Sequence, residues 1–225
     1  MPSSELAHFL NVALDIQATP YPGVHVDDGV ILATDGVMLV AKKYNNPVYL
    51  RGRGSLSPKA AKVLAALAEA SNIGSIEVNG NRVTVTAQTT LYDEHLGAEA
   101  AGGYCEVKLP EFYCPRAPVA RMLGVLHDES RGWQQIVEHP NLKALKEMSA
   151  RDYVALIDNP RNGGELFRPK ADNDTHWYSV AQLRRGLRLF GARARLSVRR
   201  NDKGWLAFED GYGHTFAVTP FVKHN

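Results

Sequence analysis

Apolar residues recur at helical spacing in three places along this chain, and each time a set of short apolar runs split by turn residues follows. The first series, Leu6, Phe9, Leu10, Ala13 and Leu14, predicts a helix with Ser3 or Ser4 as N-cap. It ends near residues 15–19, because Pro20 and Pro22 prevent continuation. Residues 24–26, 30–33 and 37–41 then read as strands, with turns at Asp27-Asp28-Gly29 and at Thr34-Asp35-Gly36. The second series opens on Ser57 before Pro58, an N-cap with proline at the first helical position. That helix runs to about Ala70, with Val63, Leu64 and Leu67 on one face, and Gly74 is read as its end. Residues 75–78 lead into Asn79-Gly80, a strong hairpin signal, and residues 82–86 alternate at period two. Residues 89–103 read as a loop and residues 104–109 as a returning strand.

The third series, Val180, Leu183, Leu187 and Phe190, follows Ser179 as N-cap. Strands are predicted at 194–198, 205–208 and 214–221, with turns at 201–204 and at Asp210-Gly211. Residues 116–176 fit the pattern only loosely: 142–148 suggest a helix, and 153–158 with 165–168 a hairpin around Asn162-Gly163-Gly164. The fold class that follows is α+β, three copies and a degenerate fourth of a helix plus an antiparallel meander. Paired copies give two domains, residues 1–115 and 116–225, with the boundary near Pro115 and Pro118.

Composition adds limits. With 225 residues, 44% of them hydrophobic and 22% charged, the chain can bury an ordinary core. No apolar run approaches the roughly 20 residues needed to span a bilayer, and the first residues lack the basic and apolar regions of a signal peptide. The expectation is a cytoplasmic protein that stays off membranes. Cys105 and Cys114, spaced C-x8-C, match no zinc pattern and are read as reduced. The charge is uneven: residues 1–112 carry 8 Lys and Arg against 12 Asp and Glu, residues 113–225 carry 18 against 12. Arg184, Arg185, Arg188, Arg193, Arg195, Arg199, Arg200 and Lys203 face only Asp202 in their stretch. Such a run is either a polyanion-binding face or a solvated helix surface, and charge alone leaves both open.

Catalytic chemistry is sparse. Strand alternation puts His25 and Asp27 on one face and Asp28 on the other, without the further ligands a metal would need. His127-Asp128-Glu129 reads as a polar loop. No G-x-S-x-G, Walker A, H-E-x-x-H or G-x-G-x-x-G motif occurs, so the residues favour binding over catalysis, with no cofactor.

The stretch Gly29-Val30-Ile31-Leu32-Ala33-Thr34-Asp35-Gly36-Val37-Met38-Leu39 resembles the strand–"ATDG"–strand signature of the DNA sliding clamps. Ser57-Pro58-Lys59-Ala60-Ala61-Lys62-Val63-Leu64 through Val85 is similar to the second helix and hairpin of a bacterial-type clamp domain. Phe216-Ala217-Val218-Thr219-Pro220-Phe221 resembles the family's closing strand. The resemblance covers residues 1–112 and 178–223; residues 116–176 do not align visibly, and Val37 and Met38 stand where the family has histidine and arginine.

This resemblance implies a non-enzymatic ring that encircles duplex DNA and tethers a polymerase. The length fits two domains per subunit, as in phage, archaeal and eukaryotic clamps, and hence a homotrimer. The resemblance places Arg184, Arg185 and Arg188 of the last helix and Lys59 and Lys62 of the second against the phosphate backbone, which must be gripped without reading bases. At 100° per residue these avoid the apolar faces, whereas the first helix offers only His8, Asn11 and Asp15. Peptides of the polymerase and the clamp loader would dock in a pocket built from Thr34, Gly36, Val37, Met38 and Leu39 with Val218, Thr219, Pro220 and Phe221. Plainer readings stand beside these: a solvated arginine face, and Met38, Leu39 and Phe221 as ordinary core. From other classes come a metal-dependent nucleic-acid-processing enzyme and a monomeric clamp-like module that binds replication or transcription machinery.

Overall fold

The computed structural model describes residues 3–16, 21–46, 48–88, 91–93, 98–100, 104–111, 119–128, 130, 134–135, 148–158, 166–167 and 176–221. Contacts divide the chain into two compact units, Met1–Ala33 with Lys42–Val119 and Thr34–Ala41 with Ala120–Asn225. Helices and a predominantly antiparallel sheet build both, the α+β class expected from the hydrophobic pattern.

The first unit contains α1 (Ser3–Ile16), β1 (Val24–Asp27), β2 (Val30–Thr34), the end of β3 (Met38–Lys43), β4 (Leu50–Leu56), α2 (Pro58–Ala70), β5 (Asn72–Gly80), β6 (Arg82–Gln88), β7 (Leu91–Asp93), β8 (Ala98–Ala100) and β9 (Tyr104–Lys108). The two helices pack on each other and on the strands. Leu6, Phe9 and Leu10 of α1 are fully buried, each contributing about 1.5–3 kcal/mol by leaving water. Ser57 caps α2 as expected, its Oγ accepting from Ala60 N at 3.2 Å. The α2 stripe differs from the expectation. Its buried positions are Ala60, Ala61, Leu64, Ala65 and Ala68, while Val63 is 42% exposed. Small residues fill that face because α1 lies close against it. Ser71 ends the helix, and Gly74 falls inside β5 at a register irregularity between Ile73 and Ser75.

Strand order in this unit is β2-β1-β4-β5-β6-β9. The strand β4 was not expected, and its pairing with β5 is parallel, so the unit is not a purely antiparallel meander. Gly54, paired with Gly80, ends that register. A Cβ there would sit 1.9 Å from the carbonyl oxygen of Gly80, so only glycine lets the two backbones meet. Residues 91–93 and 98–100 form a short antiparallel hairpin where a loop was expected. Lys42, almost fully buried, is held by an ion pair to Glu5 and lies 5.5 Å above the Tyr44 ring.

His25 lies on β1, between β2 and β4, with no exposed surface. Its contacts fit the tautomer protonated at Nε2, which donates to Tyr21 O at 3.4 Å while the Ser55 hydroxyl donates to Nδ1 at 2.8 Å. Burial lowers its pKa below the ordinary 6.5, and the Tyr21 hydrogen bond only partly opposes this. The neutral ring therefore contributes stability that is present above pH ~6.5 and lost as pH falls toward the folded-state pKa. Denaturant titrations at pH 7.5 and 5.5 should show the first unit weakening at the lower pH, by at most about 1.4 kcal/mol per pH unit from this group. A His25→Asn variant should show a smaller pH difference; an unchanged difference would assign the effect to other groups.

The second unit contains the first part of β3, α3 (Val119–His127) except its first residue, β10 (Gln134–Gln135), α4 (Ala150–Ile157), β11 (Leu166–Phe167), β12 (Tyr178–Ser179), α5 (Val180–Leu187), β13 (Ser197–Arg200), β14 (Leu206–Glu209) and β15 (His214–Val218). Its main strand order is β10-β13-β14-β15-β3, with β11 and β12 a separate pair. Stacked Phe208 and Phe216 centre the core, Tyr153 of α4 meeting Phe208 edge-on at 5.4 Å. Gly186 lets α5 close onto this stack, since a Cβ there would lie 2.1 Å from the Phe216 ring.

Residues 153–158 were expected to form a hairpin strand, and the structure corrects this. Residues 150–157 are helix α4, capped by Ser149, whose Oγ accepts from Asp152 N at 3.2 Å. Ala150, Tyr153 and Ile157 are its buried face, a helical spacing that outweighed the strand-like composition. Phe167 pairs with Tyr178 instead. The helix expected at 142–148 lies outside the described residues apart from Met148, which is not helical. Residues 119–127 form α3, which the sequence reading did not anticipate.

Candidate functional site

The hairpin turns of the second unit share one device. Asp35 Oδ1 accepts from Val37 N and Met38 N, while the Thr34 hydroxyl accepts from Gly36 N and donates to Met38 O. Asn201 Oδ1 accepts from Lys203 N and Trp205 N, and Asp210 Oδ1 from Tyr212 N and His214 N. Each side chain replaces a backbone partner and fixes its turn. Asp210 also meets His214 Nδ1 at 2.9 Å, and its pKa is lowered: burial alone would raise it, and the hydrogen bonds to His214 and Tyr212 outweigh burial. The "ATDG" turn is thus first of all a folding element.

That observation sorts the nine expected peptide-pocket residues. Thr34, Met38, Leu39 and Val218 are buried, Met38 and Val218 almost completely. Gly36 and Val37 are exposed, Thr219 and Pro220 half-buried, and Phe221 is 52% exposed. Backbone bonds bring the exposed ones together. Thr219 N donates to Val37 O at 2.9 Å, and Phe221 N to Trp177 O at 2.6 Å. Trp177, 38% exposed and paired with Phe221 in an antiparallel bridge, joins this apolar surface. The sequence reading missed it, because the bridge joins positions 44 residues apart and lies outside any regular strand.

The basic candidates fall in both units. Lys59 and Lys62 are exposed on α2. On α5, Val180, Leu183, Gly186 and Leu187 face inward, leaving Arg184 and Arg185 exposed in the last turn and Arg188 exposed as C-cap. Arg184 Nε meets Asp158 Oδ1 at 2.6 Å. Arg199 is drawn away from the exposed set by Glu209 at 2.6 Å. Arg151 is added to it: its amide donates to Ala192 O at 3.1 Å, so the start of α4 lies beside the segment that carries exposed Arg193 and Arg195. Nothing in the sequence near Arg151 signals this neighbourhood.

The acidic and histidine candidates do not assemble a metal centre. Asp27 and Asp28 both pair with Arg53 Nε, at 2.8 and 3.0 Å, while His25 is buried against Ser55. Among the described residues no group of three His, Cys, Asp or Glu side chains could hold a metal ion. Of the polar loop, Asp128 accepts from Ser130 N; Glu129 and the His127 side chain lie outside the described residues. Cys105 is exposed on β9, and Cys114 lies outside the described residues. No helix among the described residues is long and apolar enough to cross a membrane.

No protein-family model and no curated protein sequence matches the chain. Solved structures do. The Caulobacter crescentus beta sliding clamp is similar at a TM-score of 0.58 with 11% identity, over 99% of this chain and 65% of its own. The DNA polymerase III beta subunit of Pseudomonas aeruginosa is similar at 0.56 with 15% identity, also over 99% and 65%. That of Thermotoga maritima is similar at 0.55 with 12% identity, over 100% and 65%. At such identities the likeness is one of fold. The chain therefore has a sliding-clamp fold, and it spans 65% of the length of these clamp subunits.

Proposed function

We propose that this protein is a DNA sliding clamp, a non-enzymatic, phage-like ring of three two-domain copies that encircles duplex DNA and tethers a polymerase. The observation that carries the reading is the clamp fold over 99–100% of the chain. The exposed Arg184, Arg185 and Arg188, with Lys59 and Lys62, supply the backbone grip, and long cationic side chains at the surface suit contacts that slide without reading bases. The surface of Val37, Thr219, Pro220, Phe221 and Trp177 receives short peptides of the polymerase and the clamp loader, with the two aromatic residues as anchors.

Topology supplies the test. Protein captured on nicked circular duplex should remain through a high-salt wash and be released when a restriction enzyme linearises the circle. Equal loss from circles and linear DNA would show that any binding is not encirclement.

A further inference from the structure

We propose that Asp158 limits the grip of this protein on DNA by competing with phosphate for Arg184, an inference that rests on the clamp reading above. The three candidate arginines of α5 are not equivalent. Arg184 is engaged by Asp158 with Nε to Oδ1 at 2.6 Å, both side chains being roughly half exposed. Arg185, one residue on and also exposed, has no ion pair among the described residues.

Helix electrostatics make the position of Asp158 notable. It is the C-cap of α4, its backbone N–H bonded to Val154 O and Leu156 O. A carboxylate at a helix C-terminus faces the negative end of the helix dipole, so α4 itself gains nothing from it. Arg184, by contrast, sits in the last turn of α5, where a cation is favoured. The carboxylate is thus explained by its partner on the neighbouring helix and not by its own.

An exposed pair of this kind is weak, so phosphate can compete for Arg184. While the pair holds, one positive charge is cancelled where the duplex would pass. A sliding protein needs contact strong enough to stay centred and weak enough to be exchanged continuously. Asp158 thus sets how readily Arg184 joins Arg185 at the phosphate backbone.

The experiment measures binding of a short labelled duplex across a salt series for the full chain and for Asp158→Asn, Arg185→Ala and Arg184→Ala. Asn keeps the size and the capping backbone while removing the charge. D158N should bind DNA several-fold more tightly at low salt, with a log–log salt slope steeper by about one unit, as one more phosphate contact requires. Adding R184A to D158N should remove the gain. If R185A weakens binding but D158N leaves affinity and slope unchanged, the restraint is overturned while the clamp reading stands. If D158N binds more weakly, Asp158 instead positions Arg184, and the proposal also fails. If R184A and R185A both leave DNA binding unaltered, the DNA-facing assignment of α5 itself is wrong.

Discussion

Replacing Arg185 and Arg188 together by alanine is expected to weaken duplex DNA binding on the order of thirtyfold near 0.1 M salt, equally for every sequence. Each phosphate contact contributes about 0.9 to the log–log salt slope, so two contacts flatten it by nearly two units. Both side chains are exposed, away from Val180, Leu183 and Leu187. The fold should therefore lose little, about 0.5 kcal/mol for a surface change and up to about 1 kcal/mol where Arg188 favours the helix C-terminus. A double variant that keeps the wild-type salt slope would return these arginines to an ordinary solvated helix surface. Sequence-specific binding by the unaltered protein would count against a sliding contact altogether.

The second large effect concerns partner peptides. Phe221→Ala and Trp177→Ala should each lower the affinity for a polymerase-derived peptide by more than tenfold, the size expected for aromatic anchors at about 2 kcal/mol. Phe221 is 52% exposed, so its truncation opens no cavity and melting should barely move. Met38→Ala is the control for the opposite role. Met38 is 1% exposed, and its truncation should cost about 2–5 kcal/mol of stability as any core deletion does. Calorimetric titration and thermal melts on the three variants separate a docking surface from core. Normal peptide affinity in both aromatic variants would remove this surface from the account.

What could be read in the sequence was whatever carries its own local signal. Ser57-Pro58, Asn79-Gly80 and the Asp35 and Asp210 turns each fix structure through neighbours a few residues away, and each appears where expected. The strand β4 was invisible because Leu50-Arg51-Gly52-Arg53-Gly54 has no apolar alternation. Its order comes from backbone pairing to β1 on one side and β5 on the other, partners that no local pattern announces. Helix α4 was misread because Tyr153, Val154, Leu156 and Ile157 have the composition of a strand, and the Ser149 cap decided otherwise. The site divides the same way. The arginines of α5 followed from helical periodicity, whereas Arg151, Asp158 and Trp177 enter only through tertiary contacts. Thr34, Met38, Leu39 and Val218 belonged to the resemblance but spend their side chains on the turn and the core.

A ring is the one feature without which DNA encirclement has no meaning, and light scattering coupled to size exclusion measures it directly. At micromolar concentrations a closed homotrimer gives a single species of three chain masses that does not drift on dilution. A strictly monomeric protein across that range would contradict the clamp reading.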